Sequence, residues 1–116
     1  MQPADLIDMF AEFGPVTIRR MFGGHGIYHQ GRIIALHAFD EVWLKADGET
    51  APHFAAAGSR QWVYEGKGKP AMMPYWSIPD AALDDPAELA EWAKLADAAS
   101  RRAEMSKKVR PSRRPS

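Results

Sequence analysis

The chain has 116 residues, 46% of them apolar, with 15 basic and 15 acidic side chains and no cysteine. That length suits one domain around one core and leaves little room for a second, and the apolar fraction separates it from chains too polar to fold. The missing cysteines exclude a disulfide framework, a thiolate metal site and a cysteine nucleophile.

The N-terminal stretch MQPADLIDMFAEF is acidic and amphipathic and has neither the basic nor the apolar region of a signal peptide. No apolar run reaches membrane-spanning length, so a cytoplasmic protein is expected. Leu6, Ile7, Met9, Phe10 and Phe13 recur at helical spacing before Gly14 and Pro15, which predicts a first helix. The β-branched run Val16, Thr17 and Ile18 predicts a strand that leads into Gly23, Gly24, His25 and Gly26. A phosphate-cradling loop sets its glycines between a strand and a helix N-terminus. Here they lie between strands, where glycine marks a bulge, a bend or a close backbone approach.

Two antiparallel strands, His25 to His29 and Arg32 to Phe39, are expected around a primed two-residue turn at Gln30 and Gly31. Asp40 and Glu41 make the next short connection, to a fourth strand VWLKA. A helix follows with Pro52 in its first turn and Gly58 as its stop, then a strand RQWVYE, a loop GKGKP and an extended AMMPYWSIP. Pro74 in that last segment predicts an edge position or a break in the ladder. Asp85 as N-cap, Pro86 and Glu88 open a long helix from Pro86 to about Arg102, with Leu89, Trp92, Ala93 and Ala96 on one face. The zero net charge conceals a division, because residues 101–116 sum to +6 and the first 100 to −6. Residues 1–102 are therefore assigned to the domain, and 103–116, rich in proline, serine and arginine, to a disordered basic tail.

This order gives an α+β fold of two layers: a largely antiparallel sheet of about five to six strands, with helices mainly on one face and the long C-terminal helix among them. With RRMFGGHGIY, WLKAD and WVYEGKGKPAMMPYWSIPDAALDDPAELAEWAKLA placed in it, the chain resembles the TfoX (Sxy) family N-terminal domain over roughly residues 5–100. Members of that family are described as regulators of competence genes that act with other transcription factors, and many are stand-alone copies of this domain. The longer members carry a second, C-terminal domain that this chain does not reach. The resemblance implies a regulatory or interaction domain, a homodimer, without enzymatic activity and without a cofactor.

Several residue sets are candidates for chemistry. Gly23 and Gly24, flanked by Arg19, Arg20 and His25, read either as an anion site or as a bend that shapes the backbone together with Gly26. His25 and His29 share one strand face and His37 lies on the neighbouring strand, but a strand pattern does not show that this third ligand converges, and no metal is expected. No serine nucleophile context exists at Ser59, Ser77 or Ser100. The cations and aromatics around the sheet are more suggestive, and the partner or ligand surface is assigned to Arg20, His25, Lys45, Tyr64, Lys69 and Tyr75. A transcription-factor partner is one expectation. Weak, non-specific nucleic-acid binding through Arg101, Arg102, Lys107, Lys108, Arg110, Arg113 and Arg114 is an alternative. Anion or small-molecule binding at the glycine turn and Lys69 is another. No membrane contact is expected.

Overall fold

The computed structural model describes residues 2–21, 23–66 and 68–109, the last two as backbone. The elements run α1 (Pro3–Met9), β1 (Thr17–Met21), β2 (Gly24–His29), β3 (Arg32–Ala38), β4 (Glu41–Lys45), α2 (Ala51–Ala56), β5 (Gln61–Glu65), β6 (Pro70–Ser77), α3 (Asp80–Leu83) and α4 (Pro86–Val109). Among the described residues no helix is long and apolar enough to cross a membrane. The six strands form one sheet in the order β1-β2-β3-β4-β6-β5, and each neighbouring pair is antiparallel.

Turn chemistry fixes the meander. Gln30 (φ 53°) and Gly31 (φ 82°) are both left-handed, which is the primed turn whose twist matches the flanking strands. The next hairpin turns one residue earlier than the sequence predicts. Phe39 (φ 54°) and Asp40 (φ 59°) are its central pair, and Glu41 already belongs to β4. Between them β3 carries a bulge: Ile27 pairs with Ala35 and Tyr28 with Ile33, so Ile34 is the extra residue and is buried beside Ala35.

β6 is an interior strand, so Pro74 is not at an edge. The ladder to β5 pairs Gln61 with Trp76 and resumes at Val63 with Met72, leaving Met73, Pro74 and Tyr75 opposite Trp62 alone. N–H and C=O of one strand residue point the same way, so the N–H that proline lacks faces β4, just past the last ladder pair, Lys45 with Tyr75. On that same side the Pro74 carbonyl accepts from the Ala46 N–H at 2.9 Å, and within the interruption the Gln61 side-chain amide donates to the Met73 carbonyl at 2.9 Å.

The helix-covered face is built on one row across the sheet: Ile18, Ile27, Ala35, Leu44 and Trp76, each the register partner of the next. Leu6 from α1 and Phe10 at its C-cap, Phe54 from α2, Ala82 from α3 and Leu89, Ala93 and Ala96 from α4 close over it in one core. Asp85 caps α4 as predicted, its Oδ1 accepting from the N–H groups of Ala87 and Glu88, both at 3.1 Å. α4 does not stop near Arg102 but continues to Val109, so the first part of the expected tail is helical. The sequence explains this, since 103–109 holds no glycine or proline and is rich in good helix formers. Residues 110–116 lie outside the described residues.

Charge ties the C-terminal half of α4 to the sheet. Asp47 accepts from the N–H groups of Glu49 (3.1 Å) and Thr50 (3.2 Å) at the start of α2, and from Arg102 of α4 through Nε (2.6 Å) and Nη2 (3.1 Å). The Arg102 hydrogen bonds hold the Asp47 carboxyl down at about 2, against the opposing effect of burial. Because this folded value lies below the unfolded one, the pair's contribution is complete above the ordinary carboxylate range and is lost as pH falls towards 2. Arg102→Ala is expected to cost about 1–2 kcal/mol at neutral pH, reduced from the full linkage value by solvent screening. Urea unfolding of both proteins from pH 7 down to pH 2.5 checks this: the gap should close with acid, and a gap independent of pH would contradict the assignment.

Candidate functional site

The glycine motif is a hairpin. Gly23 sits in the β1–β2 turn with φ +80°, and Met21 pairs with Gly24 across its base. Gly24 and Gly26 are strand residues, and their need for glycine is steric. A Cβ on Gly24 would lie 2.1 Å from the His37 carbonyl oxygen of β3. One on Gly26 would meet the Tyr28 ring at 2.9 Å and the Met21 methyl at 3.0 Å. The motif thus brings β1, β2 and β3 together and leaves space for Tyr28.

Arg20 and His25 are register partners at this end of the sheet, and with Gln2, Pro3 and Ile18 they line a shallow cleft of about 490 Å³. Behind it, His25 Nδ1 lies 3.2 Å from His37 Nδ1, with the rings stacked at 5.4 Å. One Nδ1 donates to the other, and the tautomers decide which. Burial first, and then neighbouring positive charge including His25, hold His37 below the usual histidine range, with Asp40 opposing. His29 is drawn away to the other end of β2, where its ring packs on Phe13 at 4.6 Å and Nδ1 meets the Pro15 carbonyl oxygen at 2.8 Å. His53 is exposed on α2. Among the described residues no three histidine, aspartate or glutamate side chains are placed to hold a metal ion.

Lys45 and Tyr75 lie elsewhere, on the face of the sheet that no helix covers. They are register partners, with Lys45 Nζ 5.2 Å from the Tyr75 ring centre. Arg60 sits over Trp43 at 5.6 Å and Arg19 over Tyr28 at 5.0 Å in the same manner. Although this face is open, Trp43 and Tyr75 are only 7% exposed. Trp62 bridges them, 5.6 Å from Trp43 and 6.2 Å from Tyr75, and Phe39 meets Trp62 edge-on at 5.5 Å. Burial pushes the Tyr75 phenol up to about 12, so it stays protonated at neutral pH. Tyr64, two residues beyond Trp62 on β5, shares this face by strand alternation and is exposed, and Lys69 is exposed in the β5–β6 loop.

The six residues assigned to a partner or ligand surface therefore fall in two places. Arg20 of β1 and His25 of β2 are paired on the helix side, whereas Lys45, Tyr64 and Tyr75 belong to the open face and Lys69 to the β5–β6 loop. Of the basic residues near the C-terminus, Arg101 pairs with Asp97 at 3.0 Å and Arg102 with Asp47 and Glu49. Lys107 lines a cleft with Lys45, the Lys108 side chain is not described, and Arg110, Arg113 and Arg114 lie outside the described residues. The sequence reading missed Phe39, Arg60 and Arg32. Phe39 had one usable signal, the two-residue spacing of the β3–β4 hairpin; the placement of Arg60 and Arg32 depends on chain folding.

These features define a class: a small α+β domain with one antiparallel sheet, buried by helices on one side and dressed with cations over aromatic rings on the other. The family model of the TfoX N-terminal domain matches residues 8–100, and the chain belongs to that family. Among curated proteins none matches the sequence.

The matched span includes the glycine hairpin, where the two reasons for glycine separate cleanly. Gly24→Ala must part β2 from β3 and is expected to cost about 3 kcal/mol, the upper end for overpacking against backbone. Gly23→Ala meets no atom within 4 Å and strains only the turn, for about 1 kcal/mol. Urea denaturation of the two variants should rank them in that order, and the reverse order would show that the turn, not the close approach, dictates the motif.

Proposed function

We propose that the chain is a non-enzymatic regulatory domain that acts by protein–protein contact through the open face of its sheet, with a second copy of itself as the first partner. Its setting would be the competence-type transcriptional regulation described for the family, in the cytoplasm, with a transcription factor as the further partner.

One observation carries this reading. Phe39 occupies a left-handed turn position that suits glycine or asparagine, and there its side chain is 76% exposed. A bulky aromatic held in a strained conformation, in water, is better explained by what it touches in an assembly than by the folded chain alone. It extends the Trp62, Trp43 and Tyr75 cluster, and exposed Tyr64 widens the same corner. Two such corners related by a two-fold axis would cover each other. Nucleic-acid binding through the C-terminal cations is the weaker alternative, since the Arg101 and Arg102 charges are engaged with carboxylates.

Replacing Phe39 separates the two roles. Phe39→Gly relieves the turn and should leave stability unchanged or raise it by about 1 kcal/mol, while weakening self-association about tenfold or more. Sedimentation at micromolar concentration should show a dimer for the parent chain and a shift towards monomer for the variant. A parent chain that stays monomeric at hundreds of micromolar would exclude the second copy as partner.

A further inference from the structure

We propose that the cleft between the β2–β3 hairpin and the C-terminal half of α4 binds a phosphate monoester, its phosphate held by Arg32, Lys45 and Lys107. The site is separate from the Phe39 corner and does not depend on the contact proposed there.

The cleft has a volume of about 310 Å³, and its walls include Tyr28, Arg32 and Ile33 from the hairpin side, Lys45 from the end of β4, and Ser100 and Lys107 from α4. Glu104 is the one carboxylate on its lining among the described residues. Asp97, beside the lining, also pairs with Arg32, so three cations stand against two carboxylates and the remaining positive charge favours an anion.

Neither Arg32 nor Lys45 is saturated. Arg32 is drawn towards Gln30, Asp97 and Glu104, but at 3.3, 3.4 and 3.8 Å, which are long for a guanidinium with only 17% of its side chain exposed. Its Nε is buried and has no hydrogen-bond partner. A buried donor without an acceptor is costly, and Arg32 is also a lining residue of this cationic concavity. Among the described residues no carboxylate comes within ion-pair distance of Lys45, whose ammonium group rests on the Tyr75 ring. Burial, and after it the charge of Lys107, lowers the Lys45 pKa, with Asp47 opposing. The fold thus holds two ammonium groups near each other without neutralising them, and an anion between them removes that repulsion.

The rest of the cleft selects for an ester. Its volume exceeds what phosphate fills, and Tyr28 and Ile33 supply an apolar wall for an organic substituent. The Ser100 position on the opposite wall offers a hydroxyl to a phosphate oxygen.

The test titrates the full chain at low ionic strength with phenyl phosphate, inorganic phosphate and acetate, by calorimetry and by amide chemical shifts. Phenyl phosphate should saturate below roughly 10 mM, more tightly than inorganic phosphate, with shifts centred on Tyr28, Gly31, Arg32 and Ser100. Lys45→Met should weaken it about tenfold or more, Lys45→Arg should retain it, and Lys94→Met, outside the cleft lining, should leave it within about twofold. Each variant's thermal melt confirms that it is folded. The proposal is overturned if phenyl phosphate binds no better than acetate, if inorganic phosphate binds more tightly than the ester, or if folded Lys45→Met binds as the parent does.

Discussion

A single helix has to cover the middle of a six-stranded sheet, and most of the molecule follows from how α4 does so. Its inward face is short-chained, with Ala93, Ala96 and Ala99 following Leu89, so its backbone lies close to the row formed by Ile27, Ala35 and Leu44. Small side chains bury little area each, roughly 25 cal/mol per Å² of apolar surface, so close approach alone fastens such a helix weakly. Larger groups at the margins supply the rest: Phe54 and Trp92 pack at 4.9 Å beside it, and Asp97 and Arg102 carry ion pairs to Arg32 and Asp47. Because those pairs lie in its C-terminal half, α4 stays attached beyond the core, and there it forms a wall of the cleft against the β2–β3 hairpin.

Much of this was legible in the sequence because local chemistry dictated it. Gln30 and Gly31 announced a primed turn, Asp85 and Pro86 announced a helix start, and the meander of β1 to β4 followed from short connections. Strand order beyond β4 was different. Nothing in RQWVYE or AMMPYWSIP says that the later strand returns to pair with β4, because register there is set by Trp76 joining the helix-side row, a tertiary fact. Pro74 signalled an edge or a break in the ladder, and of the two it is the break that β6 shows, a choice that a missing N–H alone cannot make. Helix α3, at four residues, is held by Ala82 in the core and has no periodicity to detect. The continuation of α4 past Arg102 was obscured by composition: residues that resemble a disordered tail by charge are also good helix formers when a stable helix precedes them.

Site residues were legible only as types. Lys45 and Tyr75 stood out as a cation and an aromatic near the sheet, and they are indeed neighbours, but one alternating strand pattern cannot tell which aromatics lie on the helix side. Trp76 goes inward and Tyr75 outward. Arg32 looked like an ordinary residue at a strand start, and its interest arises from α4 burying its Nε, across 65 residues of sequence from Asp97. The glycines lie between strands, and the close backbone approach at Gly24 is to the carbonyl of His37, a neighbour that the sequence alone could not name.

The open face shows how one sheet can remain separate and still be available to a partner. Bare rings of Tyr28, Trp43 and Tyr75 on one face would be an aggregation hazard, and each has a cation over it, Arg19, Arg60 and Lys45 respectively. Each such contact contributes only about 0.5–1 kcal/mol at an exposed site, and a long cationic side chain swings aside without disturbing the backbone. Arg60 is tied further by its ion pair with Glu41, whereas Phe39 has no such cover. Displacing these side chains therefore costs little beside the apolar area that a partner would bury, and the first surface it would meet is the uncovered ring of Phe39. In the proposed assembly the strain at the β3–β4 turn is what keeps that ring outside the cover, so that the face has a defined point of entry.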